Sequence, residues 1–149
     1  MLQSRRARVG ALGAGFFALI LGCADPAKQP VSHWITQLRE NDADDRAEAR
    51  EWLAKKGKDA VPELVKLLAD DDTVVAMSAS DVLVRIGRDA VPELVGTLRA
   101  GAPKARGWAA RTLGAIGKDA IEAAPALHEA RKDPALRTAA LDALQKIGN

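Results

Sequence analysis

Four stretches of the chain align residue for residue: Arg46-Ala-Glu-Ala-Arg-Glu-Trp-Leu-Ala-Lys-Lys-Gly57, Ala76-Met-Ser-Ala-Ser-Asp-Val-Leu-Val-Arg-Ile-Gly87, Arg106-Gly-Trp-Ala-Ala-Arg-Thr-Leu-Gly-Ala-Ile-Gly117 and Arg137-Thr-Ala-Ala-Leu-Asp-Ala-Leu-Gln-Lys-Ile-Gly148. Their closing glycines are 30, 30 and 31 residues apart. A fixed period of this size marks a stack of supersecondary units, each unable to bury its apolar face alone. Three columns are constant within the chain: Ala49, Ala79, Ala109 and Ala140; Leu53, Leu83, Leu113 and Leu144; and the glycines. Ile86, Ile116 and Ile147 precede three of those glycines, and Lys56 stands in the fourth place. Ala, Leu and Ile at i, i+4 and i+7 fall on one face of a helix. The small Ala admits a neighbouring helix, and glycine after the last apolar residue ends the helix in the left-handed region.

Each block predicts one helix, and a second kind of helix lies between blocks. Gly57-Lys-Asp-Ala-Val-Pro-Glu-Leu-Val-Lys-Leu-Leu68 nearly recurs as Gly87-Arg-Asp-Ala-Val-Pro-Glu-Leu-Val-Gly-Thr-Leu98. Ser32 to Leu38 supplies the first helix of the first pair, and Gly117 to Leu127 that of the last. In the last of these, Pro125 is too deep for a helix that begins at Asp119, so the helix starts near Ala124 or kinks. Asp42, Asp72 and Asp133 each precede a second helix and are expected N-caps, with Ala102 in the third repeat. Asp59 and Asp89 are candidate caps of first helices. Pro103 and Pro134 are placed at first helical positions, where proline is tolerated.

These units resemble HEAT-like repeats of the short type also found in phycobilin lyase relatives, in the pattern best seen from Asp133 to Gly148. The resemblance covers residues 32–149 and implies an all-α, right-handed α-solenoid of about four helix-pair repeats (about 32–57, 58–87, 88–117 and 118–148). In such repeats Asp and Arg residues form a ladder between neighbours, here Arg46, Asp72, Arg106, Asp133 and Arg137. Repeat two has Asp72 without Arg and repeat three has Arg106 without Asp, so the two are complementary across one boundary.

The amino end reads as an address. Residues 1–9 contain Arg5, Arg6 and Arg8, and residues 10–22 are uniformly apolar. That run is too short to span a bilayer, which takes about 20 residues. A basic head and a short apolar run make residues 1–22 a secretory signal peptide. Leu19-Ile20-Leu21-Gly22-Cys23 resembles a bacterial lipobox, which implies lipidation of Cys23 and residues 23–31 as lipidated cysteine and tether. The chain has one cysteine, so no internal disulfide competes. Asp in the position of Ala24 would signal inner-membrane retention in enteric bacteria. Ala24 therefore points to the outer membrane, while Asp25 pulls the other way. The expected location is the cell envelope, facing the periplasm or the exterior.

Composition limits the functions available. The formal charge is +2, and removing the three arginines of the signal peptide leaves −1. A nearly neutral mature chain lacks the electrostatic footprint of a nucleic-acid binder. His33 and His128 belong to first helices at opposite ends and are expected as solvent-exposed residues that cannot share a metal. The acidic runs at Asp42, Asp44, Asp45 and Asp70-Asp71-Asp72 suggest calcium, but caps and solvated turns explain them more simply. No cofactor, metal site or catalytic set is expected. The leading expectation is a non-catalytic protein-binding scaffold anchored to a membrane through Cys23. A solenoid presents an extended surface formed by its second helices. There, residues off the Ala–Leu stripe include Ala47, Glu51 and Ala115 and, as those expected to meet a partner, Met77, Asp81, Val84, Arg85 and Arg111, with Met77 and Val84 beside the small Gly107 and Gly114 in a shallow trough. The five side chains are the candidate partner-binding residues. Two readings from other classes are an enzyme or chaperone-like relative of the phycobilin lyases, acting on a chromophore-protein substrate, and a structural subunit of an envelope complex. Export argues against the first, since chromophore attachment is cytosolic in that family.

Overall fold

A computed structural model of the chain describes residues 25–40 and 42–148. Cys23 and the signal peptide lie outside the described residues. Among the described residues eight α-helices follow one another: α1 Val31–Leu38, α2 Ala43–Lys56, α3 Val61–Leu67, α4 Thr73–Ile86, α5 Val91–Ala100, α6 Pro103–Ile116, α7 Ala124–Ala130 and α8 Arg137–Ile147. They form two layers, α1, α3, α5 and α7 in one and α2, α4, α6 and α8 in the other. Each second helix packs on the next, and on the first helix of its own pair. The fold is an all-α HEAT-like repeat solenoid.

The columns become the core. Ala49, Ala79, Ala109 and Ala140 are fully buried, as are Leu53, Leu83 and Leu113, and Leu144 is 4% exposed. The glycines end the second helices with positive φ, from +57° at Gly57 to +88° at Gly148. A side chain there would be strained, which is why the terminator is glycine each time.

Helix starts differ by layer. Asp42 accepts from the backbone N–H groups of Asp44 and Asp45, and Asp72 from that of Val74. These two caps are as expected. Asp59 and Asp89 cap nothing. They lie inside 3-10 turns, Gly57–Ala60 and Gly87–Ala90, that run straight into α3 and α5. The 3-10 carbonyls supply acceptors that a capping carboxylate would otherwise provide. Pro134 is likewise not a first helical residue: α8 begins at Arg137. Asp133 instead organises the turn before it, its carboxylate accepting from the Ala135 N–H and its carbonyl from those of Leu136 and Arg137. The last first helix starts late, as Pro125 demands. A 3-10 segment Gly117–Ala123 kinks at Ala120, and α7 begins at Ala124.

The register between second helices is fixed by small groups. Thr112 on α6 meets Ser80 on α4 through a buried hydroxyl–hydroxyl hydrogen bond of 2.8 Å, and also donates to the Trp108 carbonyl. Gly114 on α6 lies against Ala143 of α8 so closely that a Cβ would come 2.8 Å from the Ala143 Cα. The residue that faces the preceding helix is thus Val82, Thr112 or Ala143. Its counterpart on α2, the earliest second helix among the described residues, is Trp52, which stacks on Trp34, 5.6 Å between centroids and 17° between planes. On α8, the last of the described helices, Leu141 occupies the column of Ser80 and Ala110 and is 47% exposed.

Candidate functional site

The second-helix layer carries an open groove of about 500 Å³ across three repeats. Ala47, Arg50 and Glu51 of α2, Asp81, Val84 and Arg85 of α4, and Ala115 of α6 line it. These positions are one or two residues off the buried Ala–Leu stripe, so helical geometry turns them outward. The floor is aliphatic and small. Its rim is charged, and Arg50 reaches across the repeat boundary to Asp81 at 3.6 Å. Exposed charges at that distance contribute at most about 1 kcal/mol to stability, so the pair can be exchanged for a partner's groups at low cost.

Of the five residues expected to bind a partner, the groove brings together Asp81, Val84 and Arg85. Met77 stands on the same helix, 47% exposed and outside the lining. Arg111 also lies outside; its guanidinium sits 5.7 Å from the centre of the Trp108 ring. Gly114 is not part of a trough, because the approach of α8 buries it. Ala47, Glu51 and Ala115 line it from the outward face that the second helices were expected to present, whereas Arg50 was not expected there. Arg50 lies one residue from the Ala49 column, and its stem is long enough to reach the next repeat.

The expected Asp–Arg ladder takes a different form. Arg46 donates to the Glu40 carbonyl, Arg106 to that of Leu98, and Arg137 to that of Arg131. Each arginine therefore closes the C-terminal end of the first helix in its own pair, where carbonyls lack helical partners. One ladder rung exists, Arg106 to Asp133 at 3.3 Å across the third repeat boundary. Asp72 is a helix cap and does not pair with Arg106. The inter-repeat acidic anchor is its neighbour Asp70, which takes Arg39 at 2.7 Å and, through its carbonyl, the Lys104 amine. Asp70 and Asp72 of that acidic run are thus spent on a clamp and a cap. Among the described residues, no three His, Cys, Asp or Glu side chains come together as metal ligands would. His33 and His128 are half-buried and not solvent-exposed as expected, with His33 edge-on to Trp34 at 4.8 Å.

Two smaller concavities flank the repeats. One of about 390 Å³ lies over Leu98 and Ala130 beside the Arg106–Asp133 pair. The other, about 270 Å³, lies between Pro62 and Pro92 at the starts of α3 and α5. Among the described residues no helix is long and apolar enough to cross a membrane.

A search among curated proteins finds no match. Residues 105–133, covering α6, the kinked 3-10 segment and α7, match the PBS lyase HEAT-like repeat, so the chain contains at least one such repeat, framed as a second helix followed by the first helix of the next pair.

Proposed function

We propose that this protein is a non-catalytic protein-binding scaffold of the bacterial cell envelope, anchored to a membrane by lipid on Cys23. One observation carries the binding role: a groove continuous over three repeats, with an aliphatic floor and a charged rim. Interfaces commonly combine an apolar centre with a polar edge. The side chains that line it offer charge and shape but pair no nucleophile with a base, which suits recognition better than reaction. The anchor rests on the sequence from Leu19 to Cys23, a short apolar run ending in a small residue and a thiol. Doubly acylated proteins stay on membranes, whereas one chain binds only marginally.

Two measurements test the reading. Intact-mass analysis of the mature protein should give a chain that begins at Cys23 with added diacylglycerol and acyl mass; a water-soluble product without it removes the anchor. A photo-crosslinker at Val84, used in intact cells, should capture a defined protein. Arg85→Glu should weaken that purified pair by roughly 1–3 kcal/mol, as charge reversal at an interface does. Lys66→Glu, on a first helix, should leave it unchanged. The opposite ranking would move the binding surface to the first-helix layer.

A further inference from the structure

The tether is docked on the domain. After Cys23 only Ala24 precedes Asp25, where the described structure begins. Pro26–Lys28 form a 3-10 turn, capped by the Asp25 carboxylate on the Ala27 N–H at 3.0 Å. The turn is held to the second-helix layer by Lys56, whose amine donates to the Ala27 carbonyl at 2.8 Å. Lys56 is the residue that breaks the column of Ile86, Ile116 and Ile147. Its departure from the repeat has a use that the other three repeats do not need, because none of them meets a tether.

The consequence is geometric. Two residue steps span at most about 7 Å. If Cys23 carries the lipid, its Cα lies within that distance of Asp25 and the glycerol only a cysteine side chain farther, so the C-terminal end of α2 lies near the headgroups. We propose that the solenoid is held on the membrane by this end, with the Gly57 turn of the first repeat against the phospholipid headgroups. This proposal rests on the lipidation of Cys23. The surface there suits headgroup phosphates and carbonyls: Lys28, Lys55 and Lys58 are exposed, and Lys55 lies 4.2 Å over the Trp52 ring. Tryptophan and lysine together are favoured at bilayer interfaces. Asp25, Glu51 and Asp59 are also exposed at this end, so position is set by the clamp and not by net charge. The opposite edge, with Lys104 and Lys132, is separated by the length of a second helix, about 20 Å for the 14 residues of α6. Val84, Arg85 and Ala115 lie in the last turns of α4 and α6, and Ala47 and Arg50 farther back along α2, so one end of the groove faces the bilayer.

The test uses the lipidated full-length product. Lipidation blocks the Cys23 thiol, so Lys58→Cys, Lys104→Cys and Lys132→Cys each accept one fluorophore. The labelled proteins are reconstituted into phosphatidylglycerol–phosphatidylethanolamine vesicles containing a headgroup-nitroxide lipid. Most of the fluorescence at position 58 should be quenched, with little loss at 104 or 132. Lys56→Ile, which restores the residue of the other repeats and so preserves the fold, should abolish the difference without changing the lipid mass. Equal quenching at the three sites, or stronger quenching at 104 or 132, overturns the proposal while leaving the anchor intact. A difference that survives Lys56→Ile overturns the clamp. Absence of lipid mass on Cys23 overturns the anchor and this orientation together, and mass alone identifies that outcome.

Discussion

Gly107 and Gly114 stand two turns apart on α6 and serve different ends. Around Gly107 nothing lies within 4 Å of where a Cβ would be. Around Gly114 that position is already taken, 2.8 Å from the Ala143 Cα. Glycine within a helix costs about 1 kcal/mol relative to alanine. Gly107→Ala should therefore stabilise the protein by about 0.5–1 kcal/mol. Gly114→Ala must push α8 away or strain it, and overpacking of a fitted contact costs about 1–3 kcal/mol. Urea midpoints for the two variants should move in opposite directions. Equal shifts would mean that α6 and α8 are not in close contact. The sequence alone presents both residues as small and places both in one trough. Only the direction of Ala143, on a different repeat, separates them.

At the scale of the element, what decides a helix end is which backbone groups remain unpaired. Asp72 and Asp89 look alike in the sequence, each an acid just ahead of an apolar helix. Asp72 precedes α4 with extended backbone and accepts the Val74 N–H. Asp89 lies within a 3-10 turn that already joins the helix. Asp72→Ala should cost about 0.5–2 kcal/mol, and Asp89→Ala should stay within about 0.5 kcal/mol. Thermal unfolding of the pair checks this, and similar losses for both would restore Asp89 as a cap. Helix existence, the terminating glycines and the late start at Pro125 were all legible, because they depend on spacing and on the stereochemistry of single residues. Caps and arginine partners were less so. A long guanidinium stem can reach either a carboxylate or an orphan carbonyl, and the choice depends on where the preceding helix ends. Arg46, Arg106 and Arg137 chose the carbonyl. Most of the groove was legible. Ala47, Glu51, Asp81, Val84, Arg85 and Ala115 follow from facing outward on their helices, whereas Arg50, one residue from the Ala49 column, enters because its long stem reaches Asp81 of the next repeat.

Across the whole molecule, the repeats share one design but end differently. The first end is finished by the Trp34–Trp52 stack and the tether on Lys56. At the other end of the described residues Leu141 is half exposed, and α8 packs on the second helix α6. In a stack of this kind, stability is a sum of repeat terms and nearest-neighbour interfaces, so interior repeats are held twice and end repeats once. Leu113 and Leu144 occupy equivalent columns, the first fully buried and the second 4% exposed. Truncating either to alanine removes the same methyl groups and should cost about 2–5 kcal/mol locally. Leu113→Ala lies between two interfaces, and its loss should lower the cooperative transition of the entire solenoid. Leu144→Ala should let α7 and α8 open as a unit while α2, α4 and α6 stay protected. Hydrogen exchange followed by mass spectrometry distinguishes these outcomes. Uniformly faster exchange along the chain in Leu144→Ala would show that the four repeats unfold as a single block.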